Sequence, residues 1–139
     1  TSNIGSQIIK EFAGKDRETM TAGVMEMLQA TFRPEFLNRI DEVIIFNSLG
    51  KEEIKRIVDI QIAHLARRLQ DRKINLNLTD GTREFLADIG FDPIYGARPL
   101  KRVIQHNIED PLALKILAGD IVDGDTVSVA AEDGRIVFH

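Results

Sequence analysis

The chain has 139 residues, about one average domain, with 43% hydrophobic and 29% charged residues, an ordinary composition for a globular chain able to bury a core. A net charge of −4 argues against a nucleic-acid or membrane-surface role resting on bulk attraction, although basic residues can still cluster locally. The absence of cysteine excludes disulfides and thiolate–metal sites and suits a reducing compartment, while no apolar run approaches the ~18 residues of a membrane span and no leader pattern is visible. Starting in Thr1-Ser2-Asn3-Ile4-Gly5-Ser6 rather than at a methionine, the chain reads as a piece cut from something longer.

Residues 5–30 carry two helical patterns broken at Gly14-Lys15-Asp16. Ile8, Ile9 and Phe12 mark the apolar face of the first, and Met20, Val24, Met27 and Leu28 that of the second, at the spacing of a buried stripe. Arg33-Pro34 interrupts, because the residue before proline is pushed out of the helical region, and a short helical turn over 34–39 follows. Val43-Ile44-Ile45-Phe46 is a short apolar run between an acidic pair and a polar break, which predicts a fully buried strand. Asn47-Ser48-Leu49-Gly50 is the best candidate boundary, dividing the chain into 1–49 and 50–139.

The clearest helix spans 51–72, with Glu52 and Glu53 in its first turn and Arg67, Arg68, Arg72 and Lys73 towards its end, as the helix dipole prefers. Its apolar face is Ile54, Ile57, Val58, Ile62, Leu65 and Leu69. Ile74-Asn75-Leu76-Asn77-Leu78 alternates with period two, a half-buried strand. Thr79 or Asp80 caps a helix running to about Ile89, closed by Gly90. Pro99 opens another with Leu100, Val103, Ile104 and Ile108 on one face; Pro111 is expected to break it and start a further helix ending at Gly119. Val127 and Val129, then Ile136 and Phe138, alternate around Glu132-Asp133-Gly134, a hairpin pattern. From residue 51 the order is helix, strand, helix, helix, helix, strand, strand: an α+β module with a small sheet. Residues 1–46 look incomplete, with helices and one strand but no sheet for them to cover.

Two stretches carry chemistry: Gly96-Ala97-Arg98-Pro99-Leu100-Lys101-Arg102, and Phe32-Arg33-Pro34-Glu35-Phe36-Leu37-Asn38-Arg39-Ile40-Asp41. Pro99 fits the first helical position, where its missing N–H costs nothing, so Arg98 stands at the helix mouth, a place that favours negative charge. An arginine is unfavourable there unless an anion sits between, and its planar fork matches phosphate. For Arg39 and Arg98 alike, the alternative is a plain ion pair with a nearby aspartate. His64, His106 and His139 have no mutual metal-ligand spacing and read as surface or packing residues, with no metal site. Asp80, Glu84 and Asp88 form an acidic ridge expected to be solvated, and Met20, Met25 and Met27 are helix-packing residues.

Thr1-Ser2-Asn3, the stretch 32–41 and Gly90-Phe91-Asp92-Pro93-Ile94-Tyr95-Gly96-Ala97-Arg98-Pro99-Leu100-Lys101-Arg102, in that order and from end to end of the chain, resemble the Clp family of AAA+ ATPases, nearest to the second ATPase module of ClpB-type disaggregases. The resemblance implies a small, lid-like C-terminal AAA+ domain, helices packed on a small sheet, preceded by the C-terminal remnant of the α/β large domain. It implies that Arg98 is the sensor-2 arginine on the ATP phosphates of its own subunit, beside Ala97, and that Arg39 is the arginine finger reaching the neighbouring subunit's nucleotide. Asn3 matches the sensor-1 residue at a strand end, which orients the attacking water. Ile57 and Ile60 either touch the adenine ring, as in similar proteins, or simply pack the core. ATP or ADP is the implied nucleotide, with Mg held elsewhere in the parent protein. The implied partners are neighbouring subunits of a homohexamer and unfolded or aggregated proteins, without nucleic acid or membrane, in a bacterial cytoplasm or an organelle matrix.

No G-x-x-x-x-G-K-[ST] is present: Gly14-Lys15 is followed by Asp16, and Ile9 stands five positions before Gly14. The backbone cradle, lysine and Mg-binding hydroxyl of phosphoryl transfer are therefore missing, as is an acidic strand end for Walker B, and this stretch alone is not expected to hydrolyse ATP. Two alternatives stay open. One is the same part of a protease-partnered unfoldase of the ClpC or ClpA kind, although Glu109-Asp110-Pro111-Leu112-Ala113-Leu114-Lys115-Ile116-Leu117 is nearer to ClpB. The other is a non-catalytic module recruiting a partner through the edge of its sheet.

Overall fold

In a computed structural model that describes residues 1–12 and 16–139, the chain divides into two compact units, Thr1–Ser48 and Leu49–His139. The break expected at Gly14-Lys15 lies outside the described residues.

In the first unit, α1 (Ser6–Glu11) and α2 (Arg17–Thr31) pack together, and α3 (Pro34–Leu37) opens on Pro34 at its first position. Asp16 caps α2, its side chain accepting from the backbone N–H of Glu18 and from the Thr19 hydroxyl, each at 3.1 Å. Met20 and Val24 are buried, Leu28 is half-buried, and Met27 is exposed despite its place in the apolar pattern. Residues 43–46 are not the buried strand that their composition suggests. They carry no ladder, and Ile44 and Phe46 are 66% and 73% exposed. A strand is held by hydrogen bonds to a neighbouring strand, and the described residues of this unit contain none. Thr1-Ser2-Asn3 likewise forms no strand.

The second unit begins with α4 (Lys51–Leu69), whose final turn tightens into a 3₁₀ segment (Gln70–Arg72). β1 (Asn75–Leu78) follows, then α5 (Asp80–Gly90), capped by Thr79, whose hydroxyl accepts from Thr82 N–H. The buried Thr82 hydroxyl donates to the Val129 carbonyl at 2.9 Å, tying the start of α5 to the sheet. Gly90 does not close α5 through a left-handed turn. It is the last helical residue, and a Cβ on it would lie 2.4 Å from Leu100 Cδ1 and 3.1 Å from Leu100 Cα. Close packing of two backbones, rather than a turn, needs glycine here.

Pro111 does not break the following helix. α6 (Leu100–Ile104), a π segment (Gln105–Glu109) and α7 (Asp110–Ala118) run on without interruption. The wide π turn ends just before Pro111, which falls in the first turn of α7, where a missing N–H is tolerated. Asn107 Nδ2 donates to the Val103 carbonyl, four residues back, at 2.8 Å. Gly119, at φ 83°, caps the helix in the left-handed region.

β2 (Thr126–Glu132) and β3 (Arg135–Phe138) form a hairpin through Asp133 and Gly134, at φ 49° and 73°, as a tight Asp-Gly turn requires. The sheet order is β1-β2-β3. β1 runs parallel to β2, with Asn75 opposite Thr126, and β3 antiparallel, with Val129 opposite Phe138. The core joins Val58 and Leu65 of α4, Leu86 of α5, Leu100, Ile108 and Leu112 of the long helix, and Val127 and Val129 of β2. Helices packed on a small three-stranded sheet make this an α+β unit.

Candidate functional site

Arg98 is delivered by a loop closed on itself. Asp92 and Gly96 exchange both backbone hydrogen bonds, at 2.8 and 2.7 Å. Asp92 Oδ1 also accepts from the backbone N–H groups of Ile94 and Tyr95, at 2.7 and 2.9 Å. Gly96, at φ 63°, makes the turn that brings the chain to Ala97. Arg98 N–H then bonds the Tyr95 carbonyl, and Leu100 N–H the Ala97 carbonyl, leading directly into α6. Pro99 is the N-cap, one position before the first helical residue. The Arg98 guanidinium lies over the Tyr95 ring, 5.1 Å from its centroid. Arg98 is exposed, and no carboxylate among the described residues is in ion-pair range of it.

Ala97 is half-buried beside it. On α4, Ile57 is half-buried against the core cluster, and Ile60, three residues on, is 53% exposed. These residues share one unit, and α4 contacts α6 directly. Asn3 and Arg39 lie in the other unit. Asn3 is exposed, and its carbonyl accepts from the Ser6 N–H at 3.1 Å and from the Ser6 hydroxyl. Arg39 is exposed just after α3, its N–H bonded to the Phe36 carbonyl, and among the described residues it forms no ion pair with Asp41 or any other carboxylate. Ser2, Ile4, Phe36 and Ile40 border one apolar groove of about 540 Å³, so the segments carrying Asn3 and Arg39 flank a common cleft.

The acidic ridge of α5 is exposed but not simply solvated. Lys55 donates to Glu84 at 2.8 Å, Lys51 stands 3.5 Å from Asp88, and Arg83 joins Asp80 and Asp59 at 2.9 and 2.8 Å. The Lys55 hydrogen bond first, then the charges of Lys55 and Lys51, hold the Glu84 carboxyl below the usual glutamate range. The same hydrogen bond raises Lys55.

Residues 49–129 match the family model of the C-terminal, D2-small domain, of ClpB protein. The chain belongs to the ClpB family. It is 55% identical over 140 residues to Chaperone protein ClpB 1 of Synechococcus elongatus, an alignment covering 99% of the chain. Chaperone protein ClpB of Rhodopseudomonas palustris is 52% identical and that of Brucella suis 51%, each across 100% of the chain. The chain spans 16% of the length of each of these relatives.

Two features of this ClpB-family chain escape a reading of its residues alone. Tyr95 stacks on Arg98, a pairing signalled only by an aromatic three positions earlier. His64, Arg67 and Arg68 of α4 meet Lys101 of α6 across a cleft of about 550 Å³, which none of Arg98, Ala97, Ile57 and Ile60 lines. In the sequence Arg67 and Arg68 read as the basic end of α4 and His64 as a surface or packing residue, while the element that they face is not visible there.

Proposed function

We propose that this chain is the C-terminal part of the second ATPase module of a ring-forming, ATP-driven chaperone that unfolds and disaggregates proteins. Arg98 contacts the phosphates of ATP or ADP bound to its own subunit, and Arg39 reaches the nucleotide of the neighbouring subunit. The observation that carries this reading is the state of Arg98: exposed, without a carboxylate partner among the described residues, stacked on Tyr95 and fixed by a hydrogen-bonded loop. A cation held in place and not neutralised is suited to an anionic ligand, and stacking reduces the entropy lost on binding it. Ala97 flanks the contact, and Ile57 and Ile60 offer an apolar edge to the adenine.

Arg39 has the same uncommitted character, as a residue acting on another subunit's phosphate requires. Asn3 orients the attacking water. Mg and the phosphate cradle belong to the remainder of the module, so the chain by itself binds nucleotide weakly and does not turn it over. The names of its relatives support a ClpB chaperone over a protease-partnered unfoldase, and their bacterial sources support a cytoplasmic setting. The rest of the ring supplies the subunit neighbours, and unfolded or aggregated proteins are the substrates.

Arg98→Ala in the full-length protein tests the reading. Loss of one charge-assisted contact, worth about 1.5–3 kcal/mol, should weaken nucleotide binding by that module roughly 10- to 100-fold and slow hydrolysis with it. Calorimetry on assembled rings checks this, and unchanged affinity would remove Arg98 from the site.

A further inference from the structure

The second unit holds a concentration of positive charge that the role of Arg98 does not use. Arg67 and Arg68 lie on α4 beside His64, and Lys101 faces them from α6 across the cleft of about 550 Å³. Among the described residues, Glu109 is the one carboxylate in its wall, and it is spent on Arg68, to which it is hydrogen-bonded. His64, Arg67 and Lys101 form no ion pair among the described residues. A chain of net charge −4 therefore opens a cleft whose charge is locally positive. Charge of one sign along a concave wall focuses the field and concentrates anions.

The backbone supplies a second observation. The π segment Gln105–Glu109 forms part of the same wall and contributes both Gln105 and Glu109 to it. Such wide turns are frequent at functional sites, where they re-aim side chains. Glu109 holds Arg68 in place, so Arg68 is presented as an oriented donor rather than a free one, and Gln105 adds a neutral polar group.

We infer that this cleft is a binding site for a short chain of phosphates, a small multivalent anion that bridges Lys101 on α6 and the basic residues of α4. Charges facing each other from two helices match an anion carrying several charges over a short length. Guanidinium groups bind phosphate oxygens in pairs, and lysine adds a point charge. The inference is independent of Arg98, because Arg98 does not line the cleft.

The test is a titration of the 139-residue chain with inorganic tripolyphosphate and, separately, with ATP, at matched ionic strength and followed by amide NMR shifts. The expected result is a saturable response to tripolyphosphate at His64, Arg67, Arg68, Lys101 and Gln105. Lys101→Ala and Arg67→Ala should each weaken it about tenfold or more, Lys101→Arg should largely preserve it, and Arg98→Ala should leave it unchanged. An equal response of these residues to ATP supports the phosphate chain as the recognised element. The inference is overturned by no saturable response in the cleft, by binding that survives Lys101→Ala and Arg67→Ala together, or by ATP binding without tripolyphosphate binding. ATP shifts confined to Ile57, Ile60 and Arg98, with no tripolyphosphate response in the cleft, would support the nucleotide reading while overturning this one.

Discussion

Gly90 and Leu100 bring two elements of the second unit so close that a single substitution can probe the contact. A Cβ at Gly90 would meet Leu100 Cδ1 at 2.4 Å and, behind it, Leu100 Cα at 3.1 Å. Leu100 is 1% exposed and part of the core, so its side chain has no free space to take. Alanine is the better helix former by about 1 kcal/mol, yet overpacking a filled core costs about 1–3 kcal/mol. Gly90→Ala should therefore lower stability, as read by the urea midpoint, and a raised midpoint would show that helix propensity outweighs the contact. The same residue marks a limit of sequence reading. A glycine after an amphipathic run signals a helix end, but its close approach to a residue ten positions away cannot be seen before the helices are packed. Arg98 is the reverse case: its helix-mouth position is visible from Pro99, while its stacking on Tyr95 depends on the loop closed by Asp92 and Gly96.

Among the elements, those whose faces are complete within the second unit were legible. The stripe of α4, the alternation of β1, the Thr79 cap and the Asp-Gly hairpin each follow from local pattern and local chemistry. Residues 43–46 were not legible, because an apolar run becomes a strand only when a neighbour takes its hydrogen bonds. Pro111 misled for a different reason. Proline breaks a regular α-helix, but here a π segment precedes it and the helix continues. Contact between α4 and α5 yields a prediction of its own. The Glu84 carboxyl is lowered by Lys55 in the folded protein, so its stabilising contribution is present above the ordinary glutamate range and is lost as pH falls through its lowered folded value. Lys55 is raised, so its share is present below the ordinary lysine range and lost as pH rises through its higher folded value. Glu84→Gln should thus be destabilising at neutral pH, and the gap to the parent should narrow as pH falls below the ordinary glutamate range, close once pH is below the lowered folded value, and shrink in high salt. Thermal unfolding of both proteins across pH checks this; a gap that does not change with pH would show that the carboxylate charge contributes nothing.

For the whole molecule, the α+β character was legible from the order of helical and strand patterns, and the ClpB family from three motifs in order along the chain, which a match over residues 49–129 supports. The joint role of the candidate site was less so, since Arg39 and Asn3 stand in one unit and Arg98 in the other, and the nucleotide proposed for them would be held by groups beyond the 16% of its relatives that the chain spans. The division of labour that we propose gives Arg98 to its own subunit's nucleotide and Arg39 to a neighbour's. Trans-acting arginines on phosphoryl transfer are worth roughly 10³–10⁵ in rate, about 4–7 kcal/mol of barrier, with little effect on ground-state affinity. The most direct measurement mixes full-length Arg39→Ala subunits, whose own nucleotide site is intact, with subunits that keep Arg39 but whose own nucleotide site is disabled. Neither population alone should hydrolyse ATP through this module. Mixed rings should regain turnover at the junctions where an intact site meets an intact Arg39. Mixed rings that assemble and recover no activity would contradict the trans role of Arg39.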